Sequence, residues 1–328
     1  MIIHENTNIT NKNINLGIEI LRFCLCFWVL SYHCLNRNEI NYFLFKITKT
    51  KLYHVPCFSF ISFYFSYSIF LQRNTNKFKQ RIERLLIPYI FWPLLIFIIN
   101  NFPYNRTNIS FYQLKIQLVF GRQFMAPLWY LLSVIFLTIL FFILSNLFKT
   151  KFLLLTQLFG IFSYIIQYSK YYNFLNEYKN HVKYPILDTL SILPITVSGI
   201  NFASLNLIEF FKENKTKTLF FSYLFIYMLF KYDIFLELGG YKGIINVFTS
   251  ITFFIGFYLL PLNNIPTFFK KLIKSLTSYT NGIYCVHSRL INLVTICFGL
   301  KGTFKSCIII YFHIFFHFLE LKYLEKQN

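Results

Sequence analysis

One apolar segment carries both an arginine and a histidine, at a spacing that sets them on one helix face. Arg22 and His33 lie within LGIEILRFCLCFWVLSYHCL, residues 16–35. Eleven positions separate them, which at about 100° per residue is roughly 1100°, or three turns and about 20°. Along the axis they stand about 16 Å apart. The segment has the length of a bilayer-crossing helix. An arginine inside such a helix is costly against lipid, which directs it toward protein or water. Glu19, three residues earlier, lies within i,i+3 reach of Arg22 and reduces the cost of burying that charge. A permanent cation and a titratable base on one face are the parts of a general-base site, because imidazole titrates near neutral pH. The structural alternatives are an Arg22–Glu19 ion pair with no chemical task and a capped histidine at the helix end.

Three further groupings follow in chain order. VPCFSFISFYFSYSIF, residues 55–70, lies on the second apolar span. Arg81 and Arg84 form an R-x-x-R that runs straight into LLIPYIFW. Arginine grips phosphate bidentately, so the pair is a candidate phosphate contact; ordinary basic residues of a cytoplasmic loop are the alternative. NGIYCVH, residues 281–287, ends on His287. His313 and His317 have the i,i+4 spacing of a helical metal pair. No acidic residue lies between them and no third ligand is evident, so no metal is expected.

The elements that must position these residues are membrane helices. The chain is 56% hydrophobic, 22% aromatic and only 13% charged over 328 residues, about half the charged share of a soluble domain. Apolar windows suggest about ten transmembrane helices, near 16–35, 52–71, 85–103, 126–148, 152–169, 186–206, 218–236, 243–262, 278–298 and 303–321. FYQLKIQLVFGR, residues 110–121, is too short and mixed to cross and reads as an interfacial helix. The expectation is an all-α polytopic helical bundle forming one integral membrane domain over residues 1–328. It has a short polar tail at 1–15 and no soluble extension. The polar first fifteen residues and the long apolar stretch after them argue against a signal peptide.

The formal charge of +20 does not point to nucleic acid, since the basic residues are spread over many short polar intervals. Scarce alanine (only Ala126 and Ala203) beside abundant Phe, Ile, Asn and Lys reflects compositional bias, which raises lysine everywhere. The densest basic interval, residues 73–84, holds Arg73, Lys77, Lys79, Arg81 and Arg84. Read as a loop, a segment this short and basic is expected on the cytoplasmic side. With an even number of spans, both termini are then cytoplasmic. The seven cysteines fall within or beside apolar segments without C-x-x-C spacing, as small buried apolar residues do.

Taken in order, these motifs resemble the acyltransferase-3 family of integral membrane O-acyltransferases. The R-x10-H spacing with an acidic residue three before the arginine matches the family signature. So do Val55-Pro56-Cys57-Phe58 with Ile61-Ser62-Phe63-Tyr64, the run from Arg81 to Tyr89, Leu128-Trp129-Tyr130-Leu131, and Gly282-Ile283-Tyr284-Cys285-Val286-His287. Phe63 stands where the family usually has glycine. That departure bears on the local backbone, since glycine marks close approach or unusual φ/ψ. The resemblance implies transfer of an acyl group, acetyl by default, from acyl-CoA to a hydroxyl of a cell-surface glycan or its lipid-linked precursor. His33 is then the base, and Arg22 and Glu19 belong to the same catalytic set. Arg81 and Arg84 meet the phosphates of the acyl-CoA donor, and Tyr284, His287 and Trp129 are further candidates. The expected setting is the plasma membrane, and the expected partners are the bilayer, acyl-CoA and a glycan. A non-catalytic transporter or flippase for a glycan or lipid-linked sugar is the alternative, because charges inside polytopic chains often mark transport.

Overall fold

The computed structural model describes residues 15–34, 54–101, 109–121, 128–168, 183–231, 244–262 and 265–278. Among them the regular structure is entirely helical. The predicted spans near 278–298 and 303–321, and with them Tyr284, His287, His313 and His317, lie outside the described residues.

Eleven α-helices are described: α1 Leu16–Cys34, α2 His54–Gln72, α3 Thr75–Asn101, α4 Phe111–Phe120, α5 Leu128–Leu147, α6 Phe152–Tyr168, α7 Lys183–Ser204, α8 Leu207–Glu213, α9 Lys215–Lys231, α10 Ile244–Tyr258 and α11 Thr267–Ser278. Four stretches among the described residues are long and apolar enough to cross a membrane: His54–Gln72, Leu128–Leu147, Lys149–Gln167 and Ile186–Ser204. The protein is an all-α polytopic membrane bundle.

α2 and α7 form its central pair. One cluster of buried side chains unites Phe63 and Phe70 of α2 with Leu137 and Phe141 of α5 and Ile192, Val197 and Ile200 of α7. A second unites Ile18, Leu21 and Leu25 of α1 with Phe60 of α2, Phe202 of α7 and Phe254 of α10. Both helices therefore feed two clusters, which requires close approach at their crossing. Gly199 supplies it: a Cβ there would lie 2.6 Å from the Phe60 carbonyl oxygen. Small residues let membrane helices approach in this way.

α1 is anchored at its start. Asn15 accepts the amide of Ile18 on its side-chain oxygen at 3.1 Å and donates its amide to the Tyr258 carbonyl at 3.0 Å. One residue thus caps α1 and ties it to the end of α10.

The basic interval 73–84 differs from its sequence reading. Only Arg73 and Asn74 are non-helical, and α3 begins at Thr75. Asn74 accepts the Lys77 amide at 2.9 Å and caps the helix. The Lys, Gln, Arg and Glu residues that follow are good helix formers without a breaker, so polarity here marks an exposed helix face rather than a loop. Arg73 closes the turn at φ 50° and donates its Nε–H to the Ser145 carbonyl at 3.0 Å.

α3 and α5 run antiparallel in a fixed register. Arg73 stands opposite Ser145, Phe78 stacks on Phe142 at 4.0 Å, and Arg81 meets Thr138. α4 doubles back along the later turns of α3: Asn101 reaches the Ile109 carbonyl, and the Tyr89 hydroxyl donates to the carbonyls of Gln117 and Leu118. A capping box of Ser110 and Gln113 starts α4, and Gly121 at φ 70° ends it.

Candidate functional site

α1 carries Arg22 and His33 on one uninterrupted helix, so the eleven-residue register holds along its backbone. Arg22 donates from one Nη to both carboxylate oxygens of Glu19, at 3.2 and 3.3 Å. The pair is partly enclosed, with side-chain exposures of 30% and 15%. His33 falls in the last turn of α1; its side chain is outside the described set.

The two arginines of R-x-x-R separate. Arg84 is exposed, while Arg81 turns into the bundle. Arg81 donates an Nη–H to the Ser62 hydroxyl at 2.8 Å and its Nε–H to the Thr138 hydroxyl at 3.3 Å. Thr138 is oriented to receive it. Thr138 spends its own proton on the Val134 carbonyl at 2.7 Å, leaving its lone pairs to Arg81. The guanidinium also faces the Phe63 ring at 5.4 Å from the centroid, a cation–π distance. Among the described residues no carboxylate lies within ion-pair distance of Arg81. A cation removed from water loses several kcal/mol of hydration unless matched by partners. Among the described residues two neutral hydroxyls and an aromatic face supply the match and leave N–H groups over.

Phe63 answers the question raised by its position. The backbone through α2 is regular helix, and Phe63 is fully buried, packed edge-on against Phe141 at 5.6 Å. The bulky ring is accommodated without unusual φ/ψ and forms a wall of the Arg81 site.

A second polar contact lies beside the first. The hydroxyls of Tyr130 and Ser59 pair, and both Arg81 and Arg22 stand close enough to act on Tyr130 electrostatically. α1, α2, α3 and α5 thereby bring Arg22, Ser59, Ser62, Arg81, Tyr130 and Thr138 into one interior region. Ser62 and Tyr130 were within motifs noted in the sequence but were not singled out. Thr138 had no sequence signal, because its partner is remote in the chain. Trp129 is 8% exposed and packs edge-on against Tyr130 at 6.2 Å; a Cβ on Gly121 would lie 3.1 Å from its Cα. Among the described residues no group of three or more His, Cys, Asp or Glu side chains could hold a metal ion.

Chemically, the region presents cations and hydroxyl dipoles inside an apolar bundle. Arg22 is matched by Glu19, Arg81 by neutral partners only among the described residues, and low polarity strengthens each contact. Comparison with curated proteins and with solved structures returned no match. The acyltransferase-3 model, described as an acyltransferase domain, matches residues 15–319 and so spans all the elements that build the site. The chain therefore belongs to the acyltransferase-3 family and is a multi-pass membrane acyltransferase.

Proposed function

We propose that the protein transfers an acyl group, acetyl by default, from acyl-CoA to a hydroxyl of a cell-surface glycan or its lipid-linked precursor, at the plasma membrane with both termini cytoplasmic. The observation that carries this reading is Arg81: a cation enclosed in the bundle, held by Ser62, Thr138 and Phe63, with no carboxylate partner among the described residues. Such a group suits an anionic substrate, and acyl-CoA brings phosphates.

Arg81 and Arg84 divide the donor's charge. Exposed Arg84 meets it first and steers it; Arg81 holds the part that enters the bundle. Arg22, oriented by Glu19 and about 16 Å along α1 from His33, extends the positive path for the donor into the membrane. His33 takes the proton of the acceptor hydroxyl as that oxygen attacks the thioester carbonyl carbon. The carbon–sulfur bond breaks as the ester bond forms. The thiolate leaves and takes up a proton, giving CoA thiol and the O-acyl glycan. Tyr284, His287 and Trp129 remain candidates for shaping the acceptor side.

The test is binding and turnover in purified protein. Acyl-CoA should raise the melting temperature and titrate calorimetrically, and labelled acyl groups should appear on a glycan acceptor. His33→Ala should retain donor binding and lose transfer. Folded protein that binds no acyl-CoA at millimolar concentration would overturn the reading and favour transport of a glycan or lipid-linked sugar. A fully active His33→Ala would remove His33 as the base.

A further inference from the structure

Helix α11, TFFKKLIKSLTS, was not anticipated as a separate element, and its two sides are unlike any other helix described. At about 100° per residue, Phe268, Phe269, Leu272, Ile273 and Leu276 fall in an arc of about 140°. Lys270, Lys271 and Lys274 fall in an arc of about 100° centred on the opposite side. The flank bearing Lys270, Ile273 and Thr277 is the least exposed of the helix, and α11 packs against α1. The apolar arc is open: Phe268 is 68% exposed, Phe269 51% and Leu272 41%. Lys271 and Lys274 are exposed on the other side.

We propose that α11 is a contact with the surface of an anionic bilayer. Phe268, Phe269 and Leu272 enter the boundary between headgroups and acyl chains, and Lys271 and Lys274 bind lipid phosphates. Two comparisons within the molecule support this occupant. α6 also exposes large apolar residues, among them Leu158, Ile161, Phe162 and Ile165, but has no charged residue along its length, as a helix facing hydrocarbon should. α11 carries three lysines in twelve residues, which hydrocarbon does not accept and a headgroup layer does. A soluble phosphate compound would satisfy the lysines but leave the aromatic arc in water. A lipid surface satisfies both arcs at once, as with basic amphipathic helices generally.

The test uses the full chain in nanodiscs of phosphatidylcholine, with or without about one third phosphatidylglycerol, a range in which surface charge governs basic helices. Leu272→Trp is the probe, its spectrum taken as the difference from the parent protein, which has Trp28, Trp92 and Trp129. Expected are blue-shifted emission and quenching by lipids brominated near the headgroup, both greater in anionic discs. Lys271→Gln with Lys274→Gln in the same background should abolish the dependence on lipid charge. Added inorganic phosphate or free acyl-CoA should change nothing. Water-like, unquenched emission, equal signals in neutral and anionic discs, or a response to soluble phosphate would each overturn the proposal. Phe269→Trp is a second probe if Leu272→Trp does not elute as a single species.

Discussion

The guanidinium of Arg81 meets the hydroxyl of Ser62 at 2.8 Å across the α2–α3 interface, joining the basic motif to the hydroxyl-bearing motif nineteen residues before it. Their pairing makes Arg81 part of the bundle interior, and it separates the tasks of two arginines that sequence presents as equals.

The first prediction concerns that separation. Arg81→Lys keeps the charge but cannot serve Ser62 and Thr138 with one planar fork. It should lower both melting temperature and acyl transfer. Arg84→Lys should leave both near the parent value, and Arg84→Gln should chiefly raise the KM for acyl-CoA. Thermal melts in detergent and donor kinetics over a salt series check this. Equal damage from Arg81→Lys and Arg84→Lys would return the pair to a common role.

Ser62→Ala removes one acceptor and leaves a part-buried guanidinium N–H without it. The expected destabilisation is about 1–3 kcal/mol, the penalty for an unsatisfied buried polar group. Arg81→Met combined with Ser62→Ala should destabilise less than the separate effects together, because the two residues share one contact. Additive losses in that cycle would show that the 2.8 Å contact contributes little.

Phe63→Leu keeps an apolar side chain but takes away the aromatic face under Arg81. The loss should be about 1–2 kcal/mol from cation–π and packing terms together. Phe63→Tyr should preserve transfer if the ring face matters. Melting temperature and donor KM measured on both variants distinguish the face from the volume.

Gly199→Ala and Gly17→Ala test the two tightest backbone approaches. A Cβ would stand 2.6 Å from the Phe60 carbonyl oxygen in the first and 1.8 Å from the Phe257 carbonyl oxygen in the second. Neither neighbour can rotate away. Each change should cost about 1–3 kcal/mol or more through overpacking, with Gly17→Ala the worse. Yield and melting temperature in a single detergent give the ranking.

Arg22→Lys should damage transfer severely while the protein still inserts, since the Glu19 pair persists but the planar donor is lost. Arg22→Ala should in addition lower yield by leaving Glu19 unpaired. Acylation assays normalised to membrane-inserted protein check both. Unchanged transfer in Arg22→Lys would reduce Arg22 to a structural ion pair.

The helical bundle was legible in the sequence because hydropathy and helix periodicity are local. α1, α5 and α6 begin and end within a few residues of the expected spans. The family motifs were equally legible, being short strings in fixed order. Polarity misled only where it was ambiguous: residues 75–84 are as charged as a loop and helical nonetheless, and α11 is too short and basic to register as an apolar window. Which of Arg81 and Arg84 points inward was beyond reach, because residues three apart share nearly the same side of a helix. The choice depends on how α3 is rotated against α2 and α5. That rotation is set by groups far away in the chain, Phe142 stacking on Phe78, the Ser145 carbonyl receiving Arg73 and the Thr138 hydroxyl receiving Arg81. Sequence composition and spacing determined a membrane helix bundle with arginines and a histidine in family order. The register between helices decided which of these groups meet, since interhelical contacts are made by residues with no fixed separation along the chain.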